Sequence, residues 1–415
     1  LMASRCNPPV NWEAAGLAMR IADAMSGGYS AALRSRIRGG ACAGSAVRRG
    51  GEVGGHVPLP HVMANDQEPR RTTVALMPEP EQATTDTPPA PDPNAPLQSL
   101  LKDEGAGALL AAAAGDVAGR RVEGSYSANT QFGIVFAYHL MRNGAVDRDV
   151  FRAEVMLLDG VGETHQVYRG LDPDLRAWFD SVKAGAPVAS TRATSGPASR
   201  SLAAGLRFRH DPDALVSAVL RAARMTNLNA ASVVAAAATA GAVAASTFHQ
   251  VGKDLFLGVA ETADRALAEI EGDEFLFSDM EAAGHLPSRI RDLCELVDAP
   301  LRSVVGALSN DNGPVGIDGV LLAIAIAGNK SHDGVRLIDT AAQAGGSDVG
   351  SIAGAIVGAR QATSMWPWRV PNDTWFAEIG RRLVSGETET RDLPIPYAVE
   401  ERPLLRLDVL PSNED

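Results

Sequence analysis

The sequence has few cysteines, and they stand apart from one another. Cys6, Cys42 and Cys294 are the three cysteines in 415 residues, and no two of them form a CxxC pair. A disulfide framework needs an even, closely spaced set of cysteines, and a zinc ribbon needs paired CxxC motifs, so the sequence excludes both. We therefore expect a protein of a reducing compartment and assign it to the cytoplasm.

Positive charge and long apolar runs are also scarce. The chain has 38 Lys and Arg against 50 Asp and Glu, a formal net charge of -12. Such a balance repels the phosphates of nucleic acids, so we expect no nucleic-acid partner. The most apolar stretch, Ala230–Ser246, is mostly alanine and too weakly hydrophobic for a membrane span. It predicts a buried helix instead, and no membrane association.

The N-terminal segment lacks the pattern of a folded domain. Residues 1–62 mix Gly, Ala and Arg without a sustained amphipathic period, and residues 63–96 are rich in Pro, Thr and acids. Such a composition cannot bury enough apolar surface to offset the chain entropy lost on folding, so we predict a disordered leader over residues 1–96. Residue 1 is Leu and Met63 is a plausible start, so residues 1–62 are interpreted as upstream sequence translated in frame. A basic, transit-like segment is the alternative.

Helical patterns dominate from Leu97 onward. Many of the periodic stretches begin at Asp, Ser or Thr and stop at Gly, as helix caps do. Alternation typical of strands is nearly absent before the C-terminal tail. The abundance of Ala and Gly predicts helices at short axial distances. We therefore predict one compact all-α domain over residues 97–397, followed by a solvated tail over residues 398–415.

Five blocks of this helical region resemble one known family. "GALLAAAAGDVAGRRVE", from Gly107 to Glu123, is similar to the opening motif of the ADP-ribosylglycohydrolases, and "YSANTQ" resembles their Tyr-Thr-Asp-Asp-Thr-Gln. "TSGPASRS" resembles their Gly-Asn-Gly-Ala segment, "RMTNLN" their Thr-His stretch, and "AAQAGGSDVGSIAGA" their Gly-Gly-Asp-Thr-Asp-Thr turn. The blocks keep the family's order. The resemblance implies the family's helical fold, with ADP-ribose or an ADP-ribosylated molecule as the ligand.

The same resemblance implies a metal site, and the sequence departs from it. Active members hold two magnesium ions between the Asp-Asp pair and the Asp-Thr-Asp-Thr turn, and the ions orient ADP-ribose for attack by water. Magnesium requires oxygen ligands, and two divalent ions need several carboxylates to offset their repulsion. The matching positions carry Ala128 and Asn129 in the first motif and a single carboxylate, Asp348, in the second. We therefore expect magnesium to be absent or weakly bound, with Asp348 and Thr130 as its ligands if a metal is retained.

Further site residues are carried over from the matching motifs. Glu123 matches a glutamate that gates or assists the reaction in some members, and it is the candidate catalytic residue, although a shorter loop separates it from the next motif. "TSGPASRS" is interpreted as either a phosphate cradle that includes Arg200 or a capped turn before a helix. Asp116 is expected to bond backbone amides rather than a metal. The candidate ligand-binding residues are Tyr126, Asn129, Gly196, Ser199, Gly346 and Ser347.

Three functions stay open at this point, and so does the question of whether the chain is an enzyme. The first is a catalytically impaired member, a pseudoenzyme that keeps the pocket as a binding or structural module. The second is a working hydrolase that cleaves an N- or O-glycosidic bond of ADP-ribose, with Asp348, Glu123, Thr130 and Asp311 or Asp318 holding one ion or none. The third is a scaffold for protein interaction. Three or more carboxylates near Asp348 would favour the hydrolase, and an isolated Asp348 would argue against it.

Overall fold

The computed structural model describes residues 95–120, 126–159, 167–272, 277–309, 316–330, 333–362 and 370–394, with positions 396 and 399, and the side chains from residue 104 onward. Residues 1–94 of the predicted leader (1–96) lie outside these residues, as do residue 398 and residues 400–415 of the predicted tail (398–415). Within them the chain forms helices and no strand, which confirms the all-α class. The helices are α1 Ala95–Arg120, α2 Ala128–Asn143, α3 Arg148–Asp159, α4 Pro173–Lys183, α5 Gly196–Arg200, α6 Leu202–Arg207, α7 Pro212–Ala223, α8 Ala230–Ser246, α9 Lys253–Glu271, α10 Met280–Asp292, a 3₁₀ turn Leu293–Leu296, α11 Leu301–Leu308, α12 Ile317–Gly328, α13 Gly334–Gln361 and α14 Asp373–Ser385.

Polar caps set the helix ends as the sequence predicts. A side-chain oxygen at the N-cap accepts a backbone N–H of the first turn and so satisfies one of the donors left free there. Gly144 and Gly386 end α2 and α14 in the left-handed conformation, which glycine adopts without steric cost. The N-caps that accept such a bond are Ser127, Asp172, Asp211, Asn229 and Asp333.

Small residues let α1 and α13 pack backbone against backbone. A Cβ atom added at Gly115 would lie 2.0 Å from the carbonyl oxygen of Gly350, closer than any side chain permits. The contacts recur every four residues on both helices in antiparallel order, so the two backbones lie close together along about three turns. The facing pairs are Gly107 with Gly358, Ala111 with Gly354, Gly115 with Gly350, and Gly119 with Gly346.

The alanine-rich helix α8 lies in the core. All its residues except Ala245 are buried, and it packs against α7 and α9 as well as the short helices α5 and α6. This confirms the buried helix predicted from its composition. In the described residues, no helix combines the length and the apolar character that crossing a bilayer requires.

The sequence pattern indicates two helical stretches, one on either side of the Gly345–Gly346 pair. The structure confirms this break, because the run α13 consists of two helical segments that meet at a kink at Gly346, where φ is 75° and ψ is -159°. This region of backbone space is open essentially to glycine alone. The kink places Ser347 and Asp348 beside the C-terminal end of α1, at Gly119.

Candidate functional site

Four segments that lie far apart in sequence meet at the kink of α13. The C-terminal part of α1 supplies Asp116, and the first turn of α2 supplies the residues of the "SANT" motif. Ser195, directly before α5, and Ser199 and Arg200 within α5 form the third segment. The side chains of the site are Asp116, Ser127, Asn129, Thr130, Ser195, Ser199, Arg200, Ser347 and Asp348.

Asp116 forms the floor of this site. It is 1 % exposed, and its Oδ2 accepts the backbone N–H of Ser127 at 2.7 Å, the Ser127 hydroxyl at 2.8 Å and the Thr130 hydroxyl at 2.5 Å. Its Oδ1 accepts the hydroxyl of Ser347. Burial raises the pKa of the Asp116 carboxyl, and these donated hydrogen bonds oppose that rise. Asp116 therefore connects the "SANT" motif at the start of α2 to the kink of α13, through three hydroxyls and one backbone amide.

Asp348 lies at the half-buried rim and is also surrounded by donors. Its Oδ1 accepts Nδ2 of Asn129 at 2.8 Å and the hydroxyl of Ser199 at 3.2 Å. Its Oδ2 accepts the hydroxyl of Ser195 at 2.7 Å. The structure thus brings together Asn129, Ser199 and Asp348, three of the residues that the sequence predicted. Ser195 was not predicted as a site residue, and its only signal is its position beside Gly196 in the "TSGPASRS" block.

Arg200 is buried against α2. Its Nη1 donates to Oδ1 of Asn129 at 3.0 Å and its Nη2 to the hydroxyl of Thr226 at 2.9 Å. Its guanidinium carbon lies 5.0 Å from the centroid of the Phe132 ring, which is a cation–π distance. Burial lowers the pKa of the Arg200 guanidinium, and the charges of Asp172 and Asp348 oppose this.

The predicted phosphate cradle is closed in this structure. Gly196, Ser199 and Arg200 are all buried in α5. The Ser199 hydroxyl donates to the carbonyl oxygen of Gly196 at 3.0 Å, and the Ser201 hydroxyl donates to that of Pro197 at 2.6 Å. Both bonds lie within the turn, and neither Ser195 nor Ser201 caps the helix that follows it with a side-chain hydrogen bond.

Tyr126 lies behind the site rather than on its surface. Its ring is fully buried and meets the Phe376 ring edge to face at 5.2 Å, while its hydroxyl accepts from Asn372 at 2.9 Å. Its carbonyl oxygen accepts from Arg120 at 2.9 Å and from Arg169 at 3.3 Å. A ligand could contact Tyr126 only after these contacts open. Tyr126 packs in the interior of this structure, and its role in ligand binding stays a prediction.

The other predicted residues divide into three groups. Gly346 and Ser347 lie at the kink, where Ser347 bonds Asp116. Asp318 pairs with Arg289 at 2.6 Å on the exposed surface. Glu123 and Asp311 lie outside the described residues.

The carboxylates near Asp348 are few in the described part of the chain. Asp116 is the second one at the site, linked to Asp348 through the neighbouring Ser347. No three His, Cys, Asp or Glu side chains among the described residues come close enough together to hold a metal ion. Beneath the site lies a cavity of about 20 Å³, lined mainly by apolar groups with the hydroxyl-bearing Thr130, Ser199 and Ser351, which is room for about one water molecule.

Comparison with known proteins identifies the family. The sequence model of the ADP-ribosylglycohydrolase family matches residues 97–392. The chain belongs to the ADP-ribosylglycohydrolase family. A solved structure described as an ADP-ribosylglycohydrolase-related protein complex is similar over 70 % of this chain and 99 % of its own, with 18 % identity and a TM-score of 0.49. No curated protein sequence matches the chain. The match spans the four segments that build the site of this ADP-ribosylglycohydrolase family member.

Proposed function

We propose that this ADP-ribosylglycohydrolase family member does not hydrolyse the glycosidic bond of ADP-ribose. It binds ADP-ribose or an ADP-ribosylated molecule, or it keeps the pocket as a structural module. The observation that carries the proposal is the state of its two site carboxylates. Asp116 accepts four hydrogen bonds from protein donors. Asp348 accepts one from Asn129 and one from Ser195, and the Ser199 hydroxyl is shared between Asp348 and the carbonyl oxygen of Gly196. A carboxylate that binds magnesium must instead direct a lone pair to the ion.

The donor set around Asp348 does not suit a pair of magnesium ions. Asn129 directs its Nδ2, a hydrogen-bond donor, at Asp348, whereas a metal there would need an oxygen. Ala128 is 2 % exposed and has no ligand atom. In the described part of the chain, two divalent ions would face two carboxylates that already have partners, and two such groups supply too little negative charge to offset the repulsion between the ions.

A working hydrolase is the second candidate, because Asp116 is a buried carboxyl at the site. A carboxyl whose pKa is raised is suited to general acid catalysis near neutral pH. In this case Asp116 would protonate the leaving group, and the site would need to open before a substrate could reach it, since the carboxyl is 1 % exposed.

The scaffold hypothesis has less support from the described surface. Its large exposed hydrophobic side chains are Val188, Phe248 and Leu257, which lie on three separate segments. A protein-binding patch usually covers several hundred Å² of contiguous apolar surface. The scaffold function stays a prediction.

A turnover assay separates the first two candidates. The full chain is incubated with ADP-ribosylated arginine peptide and, separately, with O-ADP-ribosyl serine peptide, with and without magnesium, and released ADP-ribose is measured by chromatography. The proposal expects release equal to the rate without protein under all conditions. Release that disappears in the Asp116→Asn variant, but persists in the surface variant Asp213→Asn, would overturn it in favour of the hydrolase.

A further inference from the structure

Arg200 carries a positive charge in the interior, and its hydrogen bonds reach neutral groups. The side chain is 6 % exposed, and its partners are the amide oxygen of Asn129, the hydroxyl of Thr226 and the ring of Phe132. Burying a cation costs several kcal/mol unless negative charge offsets it. The offsetting charge must therefore lie beyond these three partners.

Among the described residues, two carboxylates are close enough to act on Arg200 through their charge. One is Asp172 and the other is Asp348. Asp172 is also the N-cap of α4, where its Oδ1 accepts the backbone N–H of Leu175 at 2.8 Å. Asp348 is linked to Arg200 by a continuous chain of two hydrogen bonds through one residue, Asn129.

The amide of Asn129 has a polarity that fits this link. A guanidinium can only donate, so it meets Oδ1 of Asn129 at 3.0 Å, and a carboxylate can only accept, so it meets Nδ2 at 2.8 Å. The positive end of the amide dipole thus faces Asp348 and the negative end faces Arg200. A carboxylate at position 129 would repel Asp348, and an apolar side chain would break both bonds.

We propose that Arg200 is the resident cation of this site and that Asn129 relays its charge to Asp348, so that the site balances its carboxylate without a metal ion. The matching family motif has a carboxylate at position 129, where this chain has an amide. The Asn129 amide therefore lies between Arg200 and Asp348 and bonds both of them. The fixed positive charge of Arg200 disfavours the binding of a second cation. This inference concerns the charge balance of the site and holds whether or not ADP-ribose binds.

Magnesium binding to full-length variants tests the proposal. Asn129→Asp adds a carboxylate beside Asp348, but Arg200 pairs with it, so we expect little gain in affinity. Asn129→Asp combined with Arg200→Met removes the competing cation, and we expect it to bind magnesium at least about tenfold more tightly than Asn129→Asp alone, a difference of ~1.4 kcal/mol. Calorimetry and the magnesium-dependent rise in melting temperature measure this. Equal affinity in the two variants, or saturable magnesium binding by the unaltered chain, would overturn the proposal.

A stability cycle provides a second test that needs no metal. Arg200→Met is made in the unaltered chain and in the Asp348→Asn variant, and each loss of stability is measured by urea unfolding. If Arg200 balances Asp348, the loss should be smaller in the Asp348→Asn background, where the charge to be balanced is gone. The surface variant Asp318→Asn, as a control background, should leave the loss unchanged. Equal losses in the Asp348→Asn and Asp318→Asn backgrounds would show that Arg200 and Asp348 are not coupled.

Discussion

Substitution of a glycine between α1 and α13 tests the packing that assembles the site. In Gly354→Ala the new Cβ would lie 2.1 Å from the carbonyl oxygen of Ala111, whereas ordinary contact begins at 3.4 Å, so one backbone must move by about 1.3 Å. Overpacking of a close-packed core costs about 1–3 kcal/mol, while the gain in helix propensity from Gly to Ala is at most about 1 kcal/mol. The overpacking should dominate, because the atoms in conflict belong to the backbone and cannot change rotamer.

Urea unfolding of the full chain, followed by tryptophan fluorescence, measures the effect. We expect a lower unfolding midpoint for Gly354→Ala with an unchanged dependence on urea, which would show a true loss of stability. Gly284→Ala is the matched control, since Gly284 is also helical but no atom lies within 4 Å of its added Cβ. This control should be neutral or up to about 1 kcal/mol more stable. A neutral or stabilising Gly354→Ala would refute the close backbone contact of α1 with α13.

Three further substitutions have expected outcomes. Asp116→Asn should lower the free energy of unfolding by about 1–3 kcal/mol, because the amide offers one oxygen where four donated hydrogen bonds need two. The control substitution Asp213→Asn, at an exposed position, should cost little. Equal urea midpoints for the two variants would contradict the role of Asp116. Gly346→Ala should lower the free energy of unfolding by about 1–3 kcal/mol, because φ of 75° with ψ of -159° is a strained conformation for any residue with a side chain. The cost is one of backbone conformation, since the added Cβ would meet nothing closer than 3.8 Å. An unchanged melting temperature would refute this prediction. Glu104→Gln should alter the pH dependence of stability. Burial raises the pKa of Glu104 above its usual 4.5, so its carboxyl stabilises the fold fully below the unfolded pKa, and this contribution is lost as the pH rises through the folded pKa. The stability of the unaltered chain relative to Glu104→Gln should therefore fall as the pH rises above about 4.5 in urea unfolding, and a difference independent of pH would contradict the assignment.

Local patterns in the sequence predicted much of the helical framework. The predicted alanine-rich helix coincides with α8, Ala230–Ser246, because its caps and its composition are local properties of the chain. The pattern also indicated two helices on either side of Gly346, and α13 consists of two helical segments that meet at this residue. Glycine interrupts a helical pattern locally, so this break could be predicted from the sequence.

The contacts of the site could be predicted only in part. The family resemblance indicated that Asn129 and Asp348 lie in matching motifs, but their hydrogen bond spans 219 positions and depends on the packing of α1 against α13. No local pattern predicted the hydrogen bond from Ser195 to Asp348, apart from the position of Ser195 next to Gly196 in the motif. Arg200 looked like a charge for a ligand phosphate, whereas its burial against Phe132 depends on how α5 packs against α2.

The measurement that tests the central claim most directly is calorimetric titration of the full chain with ADP-ribose, once with magnesium and once with a chelator. The account predicts the same affinity under both conditions, because Asp116 and Asp348 are already occupied by protein donors. Affinity that rises sharply with magnesium would contradict it, since ligands for the metal would then have to assemble at the site.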